Sequence, residues 1–290
     1  MQIASLDPAV LRFEADFRRS RRRQRLQFLV FGVLFSLAVL LSAEISQFTP
    51  ERLLRALPRL GDYLIRTLPE IGLTTFISDI AYWYYGFLRW LQLLLDTILI
   101  AFLATLFGAI GGLLLCFPAS RNLMDNYLVY FVCRRLAEVA RTVPEVVYAL
   151  VFVVAFGIGP MAGLFALTIH SIGALAKLYS EVNENVDQRP MEGLRASGAN
   201  WFEVIRFAVM PQVLPNLTSY TLWRLELNIR AAAIIGFVGA GGIGQELYHA
   251  ISFNYYEDIS AIVLMVVLTV TLIDLICERL RHRMIGKENF

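Results

Sequence analysis

Arginine and glutamate side chains inside otherwise apolar segments are the residues of this sequence that could do chemistry. Burying a charge in hydrocarbon is costly, so such residues line a pathway or pair with one another. A guanidinium group binds two oxygens of an oxyanion such as a carboxylate or a phosphate at once. Arg141, Arg224 and Arg230 are therefore candidates for an oxyanion pathway. Buried structural ion pairs between helices are the alternative interpretation.

Four of these charged residues recur at helical spacing. Arg134, Glu138, Arg141 and Glu145 are separated by four, three and four positions. On one continuous helix they would form a single stripe of alternating sign. The spacing predicts that neighbouring members of the stripe neutralise each other as ion pairs.

The amino-acid composition indicates the environment in which these charged residues lie. Hydrophobic residues make up 57% of the 290 residues, charged residues 17%, and the mean hydropathy is +0.59. A water-soluble domain is excluded, and an all-α polytopic membrane protein with about six transmembrane helices is predicted, since a span needs about 20 mostly apolar residues. The predicted spans are 26–45, 91–117, 143–159, 161–182, 217–238 and 259–278. The short third span is expected to continue backwards through LVYFVCRRLAEVART.

The arginines preceding the first span predict the orientation. Positive residues stay on the cytoplasmic side, which places the N-terminal segment 1–25 inside. With six spans the C-terminus is also cytoplasmic. The chain then divides into segment 1–25, a first transmembrane helix at 26–45, an external segment at 46–90, and a membrane core at 91–290. In the external segment, Pro58, Pro69 and the aromatic cluster at 82–85 predict short interfacial helices.

A polar insertion separates two of the predicted spans on the cytoplasmic side, at 183–216. Its sequence QRPMEGLRASGANWFEVIRFAVMP favours helix, with Pro190 in a first turn. Gly198 breaks the middle, and Pro211 and Pro215 are expected to close the segment. The pattern predicts two short helices with a glycine corner. A connecting loop without further function is the alternative.

This insertion resembles the coupling motif of bacterial ABC importer permeases, which reads E-A-A, three residues, G, nine residues, I-x-L-P. Glu192, Gly198 and Pro211 match its Glu, Gly and Pro at the expected spacing. Gly193 and Leu194 replace the two alanines, Ala208 the isoleucine and Met210 the leucine. The resemblance implies that this segment docks on an ATPase subunit. The implied coupling residues are Glu192, Gly193, Leu194, Arg195, Gly198 and Pro211.

The region from about residue 134 to 279 resembles the permease subunit of phosphonate and phosphite importers. The stretches that carry this resemblance include HSIGALAKLYSEV, EGLRASGAN and RLELNIRAAAIIGFVGAGGIG. The resemblance implies a type I importer permease in the bacterial inner membrane, working by alternating access as a homodimer. A separate cytoplasmic ATPase would bind ATP and Mg²⁺, and an extracytoplasmic solute-binding protein would deliver a phosphonate, phosphite or related oxyanion. The chain itself would need no cofactor and catalyse no reaction.

A glycine run, GFVGAGGIG, formally contains G-x-G-x-x-G. A dinucleotide site is excluded because the run follows a predicted membrane helix instead of a strand, and no Lys-Ser/Thr follows to make a P-loop. Two interpretations stay open: a mobile gate lining a pore, or tight helix packing. The residues concerned are Gly236, Gly239, Gly241, Gly242 and Gly244.

Other functions remain as alternatives at the level of sequence. The coupling motif does not specify the cargo, so an importer for another small solute such as an amino acid is possible. A membrane-embedded enzyme would need a nucleophile or metal-ligand cluster, and neither the three histidines nor the three cysteines form one. An ion-coupled secondary transporter would be expected to show internal repeats, which are not evident. The small net charge of +2 argues against nucleic-acid binding.

Overall fold

The computed structural model describes residues 8–72 and 74–285. These residues are almost entirely helical, and no strand occurs among them. Two compact units are present, one up to Ile65 and the other from Arg66 onward. The all-α prediction is confirmed for the described residues.

The first unit consists of α1 (Pro8–Ile45) and most of α2 (Pro50–Thr67). The apolar part of α1 is long enough to cross a membrane, and none of its residues is buried by protein. Helix α1 ends at Ile45, the residue at which the first span is expected to end. A short turn follows, in which Gln47 adopts a left-handed φ of 53°.

The second unit carries the remaining helices. They are α3 (Phe76–Trp83), α4 (Phe87–Cys116), α5 (Tyr127–Thr142), α6 (Glu145–Phe156), α7 (Pro160–Glu184), α8 (Arg189–Ala196), α9 (Trp201–Val204), α10 (Met210–Ile235), α11 (Ile243–Ser252) and α12 (Tyr256–Ile285). A π-helical turn (Ile205–Val209) joins α9 to α10, and a 3₁₀ turn (Gly236–Val238) follows α10.

Four straight helices and two bent helix pairs are long and apolar enough to span a membrane. The predicted continuous third span is wrong, because α5 and α6 meet at an angle of 86°. The cause is Pro144: a residue before proline is pushed out of the helical region, and Val143 accordingly has an extended ψ of 123°. Counting each bent pair as one span gives six, in agreement with the sequence.

Helices α4 and α7 pack closely at the centre of this unit through small residues. A Cβ atom added to Gly108 would lie 2.5 Å from the Cβ of Ser171, and one added to Gly112 would lie 2.9 Å from the Cβ of Leu175. Side chains of this size allow two membrane helices to approach each other's backbones. This contact holds α7 in place, and α7 carries part of the polar site described below.

The segment before α4 is organised by hydrogen bonds. Asp79 in α3 accepts hydrogen bonds from the Thr75 hydroxyl (2.6 Å) and the Gly72 amide (2.9 Å), and these bonds lower the pKa of its carboxyl group. The Trp83 indole donates to the Glu257 carbonyl at the start of α12 (3.1 Å). The region expected to form short interfacial helices forms α2 and α3, and Pro58 lies inside α2.

Candidate coupling segment and intramembrane polar site

The segment that resembles the coupling motif forms two short helices separated by a glycine. Helix α8 ends at Ala196, and Gly198 has a left-handed φ of 86°, a conformation that L-residues rarely adopt. Asn200 and Glu203 then start α9 with a reciprocal capping box, each side chain accepting from the backbone amide of the other. The predicted glycine corner is confirmed.

Buried side chains attach this segment to the membrane helices. Met191 of α8 is 2% exposed and Val204 of α9 is 3% exposed. Both belong to an apolar cluster with Cys116 of α4, Tyr179 of α7 and Val213 of α10. The Trp201 indole also donates to the Leu123 carbonyl at 2.7 Å. A displacement of α8 would therefore be transmitted to several spans at once.

The predicted coupling residues lie on the opposite, exposed side. Glu192, Gly193, Arg195 and Gly198 are exposed, whereas Leu194 is half-buried. A Cβ atom added to Gly193 or Gly198 would meet no atom within 4 Å. Two exposed aromatic residues, Phe202 and Phe207, were missed by the sequence analysis, although an aromatic side chain in a polar insertion is a recognisable signal. The segment thus presents a mixed polar and aromatic surface.

The prediction that Pro211 and Pro215 close the segment is wrong, because both lie inside α10. Pro211 lies in its first turn, directly after the π-helical turn. The preceding π-helical turn widens the helix, with the Met210 amide bonded to the Ile205 carbonyl. The chain therefore runs from α9 into the membrane without a loop.

A polar site surrounds the break between α5 and α6. Glu145 begins α6, and its Oε1 atom lies 3.1 Å from Nη2 of Arg224 on α10 and 3.2 Å from Nε2 of His170 on α7. The His170 Nδ1 atom contacts the Val143 carbonyl at 3.0 Å. The Arg224 side chain is 6% exposed and that of Glu145 26% exposed. Three helices thus bring ionisable side chains to one partly open site.

Neutral polar residues extend this site into the core. The Ser171 hydroxyl accepts from Nε of Arg224 (3.0 Å) and from Nδ2 of Asn228 (2.9 Å). The same Asn228 group donates to the Thr105 hydroxyl of α4 at 2.8 Å. The sequence analysis missed these three residues, since a single Ser, Thr or Asn in an apolar helix has no spacing signal. Their bonds fix the position of the Arg224 guanidinium group.

The predicted stripe of self-neutralising pairs is wrong. The break at Pro144 removes Glu145 from the helix that carries the other three residues. Arg134 pairs with Glu184 of α7 at 2.7 Å, and Glu138 pairs with Arg135. Arg141 is exposed and has no ion-pair partner among the described residues. Its backbone packs against Gly173, three positions after His170 on α7.

Arg230 lies apart from the polar site. Its Nη2 atom is 2.9 Å from Oδ2 of Asp274 on α12, and both side chains are more than a third exposed. Glu226, one turn earlier on α10, accepts from Nη2 of Arg281 at 2.6 Å. These two pairs connect α10 to α12. Of the three predicted pathway arginines, the structure brings Arg141 and Arg224 to the α5–α6 break and assigns Arg230 to a different contact.

The glycine run forms a compact turn between α10 and α11. Gly239, Gly241 and Gly242 have positive φ angles. Added Cβ atoms on Gly236 and Gly241 would lie within 3 Å of backbone atoms, and one on Gly244 would overlap the Ala233 carbonyl. The Ile243 amide donates to the Thr97 hydroxyl of α4 at 2.9 Å. This geometry favours tight packing over an open pore lining.

We expect Gly241→Ala to destabilise the protein. The residue has φ of 83°, and its Cβ would lie 2.9 Å from the Pro160 nitrogen. Strain and overpacking together cost about 1–3 kcal/mol. Gly198→Ala is the control, because its φ is 86° but nothing lies within 4 Å. Thermal unfolding in detergent should show a lower Tm for Gly241→Ala than for the control, and equal values would contradict the packing role.

Within the described residues, no group of three or more His, Cys, Asp and Glu side chains could hold a metal ion. The three cysteines are free. The polar site therefore offers guanidinium, imidazole, carboxylate and hydroxyl groups. This chemistry suits the binding of an anion.

Known proteins are similar to this chain along most of its length. Residues 112–285 match the family described as binding-protein-dependent transport system inner membrane component. The chain is 32% identical to the putative phosphite transport system permease protein HtxC of Stutzerimonas stutzeri, over 92% of this chain and 90% of that protein. It is 38% identical to the phosphite transport system permease protein PtxC of the same organism, over 65% of this chain and 69% of that protein.

Among solved structures, the inward-facing MetNI methionine ABC transporter matches with a TM-score of 0.59 at 22% identity, over 67% of this chain and 95% of that chain. This likeness confirms the predicted type I permease architecture. The relatives are named as permease proteins, which supports a transport subunit over the enzyme and secondary-transporter alternatives. The chain is thus a multi-pass membrane protein of the binding-protein-dependent transport system inner membrane component family, the permease subunits of ABC importers.

Proposed function

We propose that this permease imports a small phosphorus oxyanion, such as a phosphonate or phosphite. The observation that carries this proposal is the cluster of Arg224, His170 and Glu145 at the α5–α6 break, with Arg141 in the last turn of α5. The names of the phosphite permeases to which the chain is similar agree with this cargo.

The charges at the break favour an anion. Arg141 and Arg224 contribute two positive charges, and Glu145 contributes one negative charge. The N-terminus of α6 adds the positive end of a helix dipole, and broken helices in transporters direct such ends toward anionic groups. Glu145 holds Arg224 in place while the site is empty. A bound oxyanion is then attracted by the net positive charge and accepts hydrogen bonds from the N–H groups of the guanidinium.

Transport follows from the attachment of α8 to the spans. A separate ATPase, with ATP and Mg²⁺ bound to it, docks on the exposed face containing Glu192, Arg195 and Gly198. Met191 and Val204 transmit its movement to α4, α7 and α10. Alternating access then exposes the polar site first to one side of the membrane and then to the other. Gly239 and its neighbouring glycines act as a fixed corner of the external gate.

The proposed assembly is a homodimer, since one chain supplies half of a two-fold pore. We infer a cytoplasmic N-terminus from the arginines that precede the apolar part of α1, and six spans would return the C-terminus to the same side. A solute-binding protein delivers the oxyanion from the external side.

The experiment that tests this function is reconstitution with the ATPase and the solute-binding protein encoded beside the permease. ATP hydrolysis and uptake are measured with phosphonate, phosphite, phosphate and, as a matched control, a neutral amino acid. We expect the loaded binding protein to stimulate hydrolysis with one or more phosphorus oxyanions. Stimulation by the amino acid alone would contradict the proposed cargo and identify an amino acid instead. Failure to associate with an ATPase would contradict the proposed function as a whole.

A second prediction distinguishes the role of Arg141 from that of Arg230. Arg141→Gln removes an exposed charge without an ion-pair partner, so the fold should be unaffected while the KM for oxyanion uptake rises by roughly tenfold, the value of one charge-assisted hydrogen bond. Arg230→Gln is the matched control, because that arginine already has Asp274 as its partner. Equal KM values for the two variants would remove Arg141 from the pathway.

A further inference from the structure

Helix α2 has two chemically distinct faces along its full 18 residues. With 100° per residue, its ionisable side chains fall within an arc of about 100°, and its leucines and isoleucine fall within a separate arc of about 140°. The polar face consists of Glu51, Arg52, Arg55, Arg59, Asp62 and Arg66. The apolar face consists of Leu53, Leu54, Leu57, Leu60, Leu64 and Ile65, and all six of these side chains are at least half exposed.

The attachment of α2 to α1 places it at a membrane surface. The apolar part of α1 ends at Ile45, and α2 starts at Pro50. The four residues between them reach at most about 15 Å. Backbone hydrogen bonds from Gln47 and Phe48 to the last turn of α1 tighten this turn further, and Arg52 donates to the Gln47 side chain at 2.8 Å. Helix α2 therefore begins next to the end of the membrane span.

A position in the membrane interface suits both faces of α2. Six ionisable residues exclude its insertion into the hydrocarbon core. Full exposure to water would leave a continuous leucine surface unburied. Lying in the plane of the interface, the helix buries its leucines among the acyl chains and keeps its arginines at the level of the headgroups.

We propose that α2 is an interfacial helix whose arginines bind the phosphate groups of anionic phospholipids, in the leaflet at the C-terminal end of α1. The polar face has four arginines and two acidic residues, a net charge of +2. Glu51 pairs with Arg55, and this exposed pair is weak enough to exchange for a lipid phosphate. Arg59 has no ion-pair partner among the described residues. Guanidinium groups bind phosphate oxygens bidentately, which suits this polar face to lipid headgroups.

The position of α2 is tested by spin labels at Leu57 and Arg55 in the full-length protein, reconstituted in vesicles, with the three native cysteines replaced. Collisions with oxygen report acyl chains, and collisions with a water-soluble nickel chelate report solvent. We expect the label at 57 to favour oxygen and the label at 55 to favour nickel. Low collision rates with both reagents at 57 would show that protein covers the leucine face, and high nickel rates at both sites would show a helix in water. Either result would overturn the proposal.

The choice of lipid is tested by photoreactive phosphatidylglycerol and phosphatidylcholine in the same vesicles. Labelling of α2 should favour phosphatidylglycerol, and the ratio should fall about tenfold in Arg52→Gln/Arg55→Gln/Arg59→Gln. Glu51→Gln/Asp62→Asn is the matched control on the same face, and it should keep or raise the ratio. Equal labelling by both lipids in the unaltered protein, or an unchanged ratio in the arginine variant, would overturn the lipid-binding role. This proposal does not depend on the transported cargo.

Discussion

Replacing Gly198 with leucine is expected to reduce uptake by about tenfold or more while ATP hydrolysis by the docked partner continues. An added Cβ meets no atom within 4 Å, so the substitution creates no clash inside the chain. Its effects are a backbone strain of about 1–2 kcal/mol at φ 86° and a bulky group on the proposed docking face. A coupling free energy of about 1–3 kcal/mol between two sites is enough to account for a loss of this size. Uptake and hydrolysis are measured together in proteoliposomes.

Gly157→Leu is the matched control for this variant. Gly157 has almost the same φ, 85°, and also meets no atom within 4 Å. Gly157 precedes α7, and Gly198 follows α7. The 25 residues of α7, about 37 Å of helix, therefore lie between the two glycines. Gly157 has a ψ of 173°, in a region that is essentially restricted to glycine, so the control should show at least as much backbone strain with normal coupling. If both variants lose uptake equally, strain alone is responsible, and Gly198 is not a coupling residue.

Local features of the sequence predicted much of this structure. Apolar length predicted the spans, because about 20 apolar residues have few other folds available to them. The corner at Gly198 was predictable because only glycine readily takes a left-handed conformation. The capping box at Asn200 and Glu203 is also a local pattern, readable three residues apart. Each of these features depends on a short stretch of sequence and needs no tertiary partner.

The partners of the charged residues were not predictable in the same way. Arg134 was expected to pair along its own helix, but it pairs with Glu184, 50 positions away. The break at Pro144 separates only Glu145 from the stripe. Arg134 and Glu138 both stay on α5, but packing against α7 brings Glu184 to Arg134, and Glu138 pairs with Arg135. The polar site therefore depends on tertiary packing, in particular on Ser171 and Asn228, whose roles no spacing reveals. The gate and the docking surface remain proposals.

Arg224→Leu is expected to lower both the stability of the protein and its uptake activity. Adding Glu145→Gln to the same chain should restore the stability but not the uptake. Removing the 6% exposed arginine leaves the Glu145 carboxylate without its guanidinium partner, which costs roughly 3 kcal/mol. Neutralising Glu145 removes that unpaired charge, so the Tm of the double variant should recover. Uptake should stay about tenfold or more below normal, because the oxyanion still lacks its N–H donors.

The single variants and the double variant together distinguish a structural role of the pair from a binding role. If the pair only joins α6 to α10, the double variant regains uptake along with its Tm, since no unpaired charge is left between the two helices. If Arg224 binds the oxyanion, the Tm recovers and uptake does not. Thermal unfolding and uptake of the phosphorus oxyanion are measured on the same preparations. Glu145→Gln alone leaves Arg224 without its carboxylate partner, so the site gains net positive charge. If Arg224 binds the oxyanion, this variant should therefore bind it more tightly and release it more slowly.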